Sequence, residues 1–243
     1  MPRKRLTQIF PFLLPLRKKQ KVACFYLAMR FDGRTYAQKK VDYTLPYQIA
    51  ATSSLMVNEN SGQDIQFQYN KVHNLKLAAK TLDRILIKPG EVFSFWLLVK
   101  EADRFQEYQE ALVLQDDKLT TVKGGGLCQI STVLYWLFLQ SPLTVIERHG
   151  HKAESFPIPP SEIPDGVEAT IHEGWQDLKV KNETDTTYQI AIWFDDSYLY
   201  GSLLANHESP YRYEIYEQDR SFFRVDGVLY RKNKIYRKTI QKK

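Results

Sequence analysis

Cysteine is scarce in this chain: Cys24 and Cys128 are the two among 243 residues. Two cysteines so far apart form no disulfide framework, and such usage fits a reducing compartment. Long apolar runs are missing as well. The cluster Ile9-Phe10-Pro11-Phe12-Leu13-Leu14-Pro15-Leu16 is short, holds two prolines, and runs into Arg17-Lys18-Lys19 rather than a small-residue cleavage site. It does not read as a secretory signal and is far too short to span a bilayer. No Gly-Lys-Ser/Thr follows a glycine run and no dinucleotide fingerprint is present, so phosphate-loop and Rossmann chemistry are not indicated. No internal repeat is present and no strand–helix alternation runs through the whole length, which argues against a doubly wound parallel sheet.

Charge is present but unevenly placed. The net charge is +6. The first stretch carries Arg3, Lys4, Arg5, Arg17, Lys18, Lys19 and Lys21 without an acid, and residues 212–243 are also strongly basic, which leaves an acidic middle. Basic ends on an acidic body argue against a broad nucleic-acid face. They read either as solvated tails or as a weak electrostatic hold on anionic lipid. The expected location is cytoplasmic, with peripheral contact at the inner membrane face through the basic termini. A hydrophobic content of 43% with 13% aromatic residues allows a proper core. The expected organisation is a basic arm over 1–44, an α+β domain over 45–210 and a basic β-hairpin extension over 211–243.

Reactive side chains gather at one place. Gly124-Gly125-Gly126 opens onto Leu127-Cys128-Gln129-Ile130-Ser131-Thr132, and His149 and His151 follow. Leu127 to Leu139 is apolar almost all round, which predicts a buried helix. Ser141-Pro142 ends it, and Leu143 to Arg148 reads as a strand. At about 1.5 Å per helical residue and about 3.3 Å per strand residue the two segments nearly match, at roughly 20 Å and 23 Å. The strand therefore returns His149 and His151 toward the helix tip that bears Cys128.

A cysteine in a first helical turn gains from unpaired N–H groups and the helix dipole, which favour the thiolate. The glycines permit close approach of backbone and substrate. An imidazole can take the thiol proton, and nearby N–H groups can hold an oxyanion. The pattern predicts a thiol acyl-transfer site with Cys128, His149 and His151 as catalytic residues and Gly124, Gly125, Gly126, Gln129 and Ser131 at the substrate. Two other readings stand beside it: Cys128 as inert packing, and Cys128, His149 and His151 as three ligands of an open metal site. The thiol reading implies no cofactor.

Several blocks occur together: Tyr69-Asn70-Lys71, Asn74-Leu75-Lys76-Leu77-Ala78, Lys88-Pro89-Gly90-Glu91-Val92-Phe93-Ser94-Phe95, Gly124 to Ser131, Glu147-Arg148-His149-Gly150-His151, and Tyr230-Arg231-Lys232-Asn233. In this order they resemble the VanW family over nearly the whole chain, from Leu45 to Arg237. Lys152 stands where the family often has serine. The resemblance implies a role at the cell envelope or in glycopeptide resistance, with a cell-wall-related small molecule or peptide as partner. It implies no particular reaction, which leaves a non-catalytic binding module as the alternative to an enzyme.

The remaining chain reads as mixed α and β. Asn74 is the expected N-cap of a helix from Leu75 to Ile85 or Leu86. Lys88 to Glu91 is a turn into a strand from Val92 to Trp96, and Asp103 to Gln115 has partly helical spacing. Strands are expected over Val167–His172, Leu178–Lys181, Tyr188–Phe194 and Tyr198–Leu204, with a hairpin in the tail. The fold class is α+β, a Cys-bearing buried helix on a mostly antiparallel sheet. Candidates for a third member orienting the histidine are Glu147, Glu168, Asp177 and Asn182, and His172 is a further candidate base.

Overall fold

The computed structural model describes residues 10–60, 62–115, 118–150, 162–164, 166–225 and 228–242. His151 and Lys152 lie outside the described residues. A short 3-10 turn, Pro11–Leu13, leads into α1 (Leu14–Phe31), followed by β1 (Tyr47–Leu55), α2 (Ile65–Leu82), β2 (Leu86–Ile87), β3 (Val92–Ser94) and α3 (Phe95–Val99). Then come β4 (Glu110–Gln115), β5 (Lys118–Lys123), α4 (Cys128–Leu139), β6 (Thr144–Glu147), β7 (Lys179–Lys181), β8 (Tyr188–Phe194) and β9 (Tyr198–Ala205). The tail forms β10 (Tyr211–Val225) and β11 (Val228–Gln241). The strand ladders are antiparallel, in the orders β1-β9-β8-β2, β3-β7-β6, β4-β5 and β10-β11. The class is α+β, as the sequence predicts.

The helix α4 is the centre of the molecule. Ile130, Val133, Leu134, Leu137 and Phe138 are wholly buried along it. One side lies on the four-stranded sheet, where a side chain at Gly201 would crowd Val133 (2.7 Å) and Leu137 (3.1 Å). The other meets the three-stranded sheet, with Phe138 edge-on to Phe93 at 5.1 Å. An all-round apolar helix needs two covering layers, and these sheets supply them. Ser141 closes α4 by donating to the Phe138 carbonyl (2.8 Å), and Pro142 prevents its continuation. The chain then turns into β6, which pairs with β7.

Four expectations are corrected. Asn74 does not cap a helix. The cap of α2 is Asp64, whose side chain accepts from the Gln66 N–H (2.9 Å), and Asn74 sits buried in mid-helix. The strand from Val92 stops at Ser94, because the Ser94 hydroxyl accepts from the Leu97 N–H (3.2 Å) and caps α3. Glu110–Gln115 is a strand rather than helical, since it finds a ladder partner in Lys118–Lys123. The span Val167–His172 forms no named strand. It hydrogen-bonds to its neighbours singly, through Thr170 to His149 and through His172 to Gln176.

Candidate functional site

The site starts at the glycine turn. Gly124 and Gly126 have φ of +76° and +86°, where side chains other than glycine are strained. Gly125 has ordinary φ, but a Cβ there would collide with the Ala111 carbonyl. The turn is clamped from α2. Asn74 Nδ2 donates to the carbonyls of Gln109 (2.9 Å) and Gly125 (3.0 Å), and its Oδ1 accepts from the Gln109 N–H (2.8 Å). Asn70 adds a bond from its Nδ2 to the Glu110 carbonyl (2.8 Å). Those bonds fix β4 and the glycines against one face of α2.

The turn delivers Cys128 to the first residue of α4. That helix has no side-chain cap. Among the described residues, the N–H groups of Leu127 and Cys128 have no hydrogen-bond acceptor. The thiol is partly buried and donates to the Ile171 carbonyl at 3.9 Å. Ser131, three residues on, donates to the Ala169 carbonyl (2.6 Å), and Thr132 Oγ1 accepts from the Ala169 N–H (3.1 Å). Gln129 reaches the other way, donating to Ser54 (2.8 Å) and the Leu55 carbonyl (2.7 Å). So the first turn of α4 is stitched to the segment 169–171 on one side and to β1 on the other.

His149 lies across that same segment. Its carbonyl accepts from the Thr170 N–H (2.8 Å), while Ile171, one residue on, holds the Cys128 thiol. The imidazole meets Glu147, with Nε2 3.2 Å from Oε1. Glu147 also accepts from Lys179 (2.8 Å) and from the Asp177 N–H (2.9 Å). Burial pushes the Glu147 carboxyl up, but Lys179 and the Asp177 N–H outweigh it and hold it below the usual carboxylate range. The structure thus gathers Cys128, the three glycines, Gln129 and Ser131 at one helix tip and sets His149, held by Glu147, across one extended segment from the thiol.

The other third-member candidates have structural duties. Asp177 is fully buried and accepts from Ser94 (2.6 Å), the Trp96 N–H (3.1 Å) and the Leu178 N–H (2.9 Å). Burial pushes its carboxyl up to about 6 against those bonds. Asn182 shapes the turn after β7, donating to the carbonyls of Ile87 (2.9 Å) and Thr186 (2.7 Å) and accepting from the Thr184 N–H (3.0 Å). Glu168 pairs with Arg231 at 3.6 Å. His172 bonds Gln176 (2.8 Å) and stacks on Trp175 at 5.5 Å. Among the described residues no group of three His, Cys, Asp or Glu side chains is arranged to hold a metal.

Lys71 is the residue the sequence reading passed over. Its stem lies on Gly126 so closely that a Cβ at that position would run into it, and burial pushes its amine down to about 8. Among the described residues it has no ion-pair partner. Three buried polar atoms also lack partners among the described residues: Tyr108 Oη, Gln129 Oε1 and Thr170 Oγ1. Tyr108 packs beneath Gly124, Gln129 follows Cys128, and Thr170 precedes Ile171. Unpaired buried polar atoms are rare in folded proteins; Gln129 lies on the β1 side of the helix start and Thr170 on the 169–171 side. A separate shallow groove, lined by Gly33, Arg34, Gly90, Ile146, Lys181 and Glu183 among others, includes none of these residues.

Residues 70–204 match the family model described as VanW like protein. The chain is also 50% identical over 237 residues to the vancomycin B-type resistance protein VanW of Enterococcus faecalis (strain ATCC 700802 / V583), covering 98% of this chain and 86% of that protein. The chain belongs to the VanW family. The matched region takes in Lys71, Asn74, the glycine turn, Cys128 and His149, so the whole helix-tip arrangement falls within the VanW domain. A more distant similarity is to the uncharacterized protein YoaR of Bacillus subtilis (strain 168), 31% identical over 114 residues, which is 47% of this chain and 36% of that protein. No solved structure matches the VanW-family chain.

Proposed function

We propose that this VanW-family chain is an accessory protein at the cell envelope that acts in vancomycin resistance; the name of its enterococcal relative assigns that protein to vancomycin B-type resistance. Its chemistry is thiol acyl transfer or amide hydrolysis on a cell-wall precursor or peptide, carried out from the cytoplasm. Cys128 is the nucleophile. His149, oriented by Glu147, is the base. The free N–H groups of Leu127 and Cys128 hold the oxyanion, and Gln129 and Thr170 offer acceptors to the substrate. The supporting observation is the delivery of a partly exposed thiol to an uncapped helix start by a turn in which none of the three glycines can carry a side chain without strain or crowding. The thiolate this would favour attacks the acyl carbon, the leaving group takes the proton held on the imidazole, and water releases the acyl group.

The rate of Cys128 alkylation by iodoacetamide against pH, in a Cys24→Ser background, tests this. The expected result is fast labelling of the native protein at neutral pH, slowed several-fold in Glu147→Gln and in His149→Ala. Labelling that appears only on unfolding would remove the catalytic reading. The same cleft would then be a non-catalytic binding module for a peptidoglycan fragment or protein partner, with Cys128 as packing.

A further inference from the structure

The segment before the body of the fold has a composition and an exposure that the chemistry at Cys128 does not use. From residue 1 to Phe31 the sequence contains no Asp or Glu. Phe10, Phe12, Leu14 and Leu16 are 43%, 75%, 54% and 66% exposed, and Arg17, Lys18, Lys19 and Lys21 follow directly. Apolar and basic residues are thus arranged as successive blocks along the chain rather than on opposite faces of α1.

The rest of α1 is anchored. Val22 packs on Gly174, where an added Cβ would come within 3.1 Å. Tyr26 donates to Glu173 (2.8 Å) and to the Trp96 carbonyl (3.2 Å). Phe25 lies under Lys179 at 5.2 Å, and Met29 is buried beside Ser94. Anchoring begins at Lys21, which sits 5.1 Å over the half-exposed Trp175. Before that point the bonds of the described residues are local: Leu13 N–H to the Phe10 carbonyl (3.1 Å), and Arg17 to Gln20 (3.4 Å). The body therefore holds out a short apolar tip with a cationic collar and an aromatic residue at the collar's level.

We propose that residues 10–21 dock on an anionic phospholipid bilayer, with Phe10, Phe12, Leu14 and Leu16 in the acyl boundary and Arg17, Lys18, Lys19 and Lys21 among the phosphates. Charge selects this occupant. A second copy would bring the same unneutralised cations to the interface, and a nucleic acid would leave the apolar tip in water. An anionic bilayer satisfies both blocks in the order the chain presents them, with Trp175 at the interface, where aromatic residues concentrate. Each basic residue near such a surface strengthens binding several-fold. The receiving turn, 173–176, continues from Ile171, whose carbonyl holds the Cys128 thiol, so docking turns that end of the fold toward the bilayer. The proposal does not depend on what Cys128 does.

Co-sedimentation of the full chain with vesicles tests it, comparing pure phosphatidylcholine with an equal mixture of phosphatidylcholine and phosphatidylglycerol. The expected result is partitioning onto the mixed vesicles at least roughly tenfold stronger than onto the neutral ones, weakened by salt. The triple variant Arg17→Gln, Lys18→Gln, Lys19→Gln should lose about tenfold or more. The variant Phe12→Ser, Leu16→Ser should lose a comparable amount. All five positions are exposed, so both variants are expected to keep the wild-type circular dichroism spectrum. Failure to bind the mixed vesicles, equal binding to neutral ones, or indifference to either variant would overturn the proposal. So would light scattering that shows self-association abolished by the same substitutions, because the occupant would then be a second copy.

Discussion

Lys71 shows how one buried side chain can set a pH dependence. An amine loses hydration on burial, and nothing among the described residues returns it as an ion pair. Its ordinary value of 10.5 falls to about 8 in the fold. The unfolded chain therefore binds more protons than the folded one between these values, and this residue's contribution to stability rises with pH across that window. Lys71→Met should raise unfolding stability at neutral pH by roughly 3 kcal/mol at most. The gain should fade between pH 8 and pH 10.5 as the wild-type amine neutralises in both states. Urea unfolding of both proteins at the two pH values measures it, and a gain that does not change with pH would mean the amine is hydrated or paired.

Among the elements, α2 holds the site together. Its Asn74 satisfies the Gln109 N–H and the carbonyls of Gln109 and Gly125 at once. Removing that amide takes these partners from the buried Gly125 carbonyl and the Gln109 N–H, each costing on the order of 1–3 kcal/mol, while the Gln109 carbonyl keeps the Gly124 N–H (3.1 Å). Asn74→Ala should destabilise the protein by about 3 kcal/mol and slow Cys128 labelling in the native state, because the glycine turn loses its clamp. Asn74→Asp, which sets a buried carboxylate oxygen against the two carbonyls, should cost at least as much. Thermal unfolding together with native-state alkylation separates a local effect on the turn from a general loss of stability. The reading of Asn74 as a cap failed for a definite reason. The apolar spacing of Leu75, Ala78, Ala79 and Leu82 begins there, but the cap lies ten residues earlier, at Asp64, before a more polar stretch of helix.

At the scale of the whole molecule, the β10–β11 hairpin is fastened at its base to the centre of the fold. Arg237 donates to the Leu143 carbonyl (3.0 Å) and to the Ser141 carbonyl, closing the turn that ends α4. Ile215 and Ile235 pack on the main core. Ending the chain at Pro210 should therefore lower the midpoint of thermal unfolding by roughly 5 °C or more, and Arg237→Ala should reproduce part of the loss. A truncated protein with an unchanged midpoint would make the hairpin a passive appendage.

Local signals carried much of this fold. The all-round apolar run from Leu127, the Ser141-Pro142 stop and the β-branched stretch after it made α4 and β6 legible, because periodicity and proline act within a few residues. The limits of β8 were legible for the same reason. Charge and exposure of the basic N-terminal block follow from composition alone. What is non-local needed the tertiary structure. The ladder joining Glu110–Gln115 to Lys118–Lys123 overrides a helical spacing. That Glu147, and neither Asp177 nor Asn182, meets the His149 imidazole depends on the pairing of β6 with β7 and on the partners that hold Asp177 and Asn182 elsewhere. Lys71 stands more than fifty positions before Gly126, and no spacing rule links them. Their contact arises only when α2 is laid against the glycine turn. Burial and the partners that compensate it are properties of packed neighbours, and packing is decided by the whole chain.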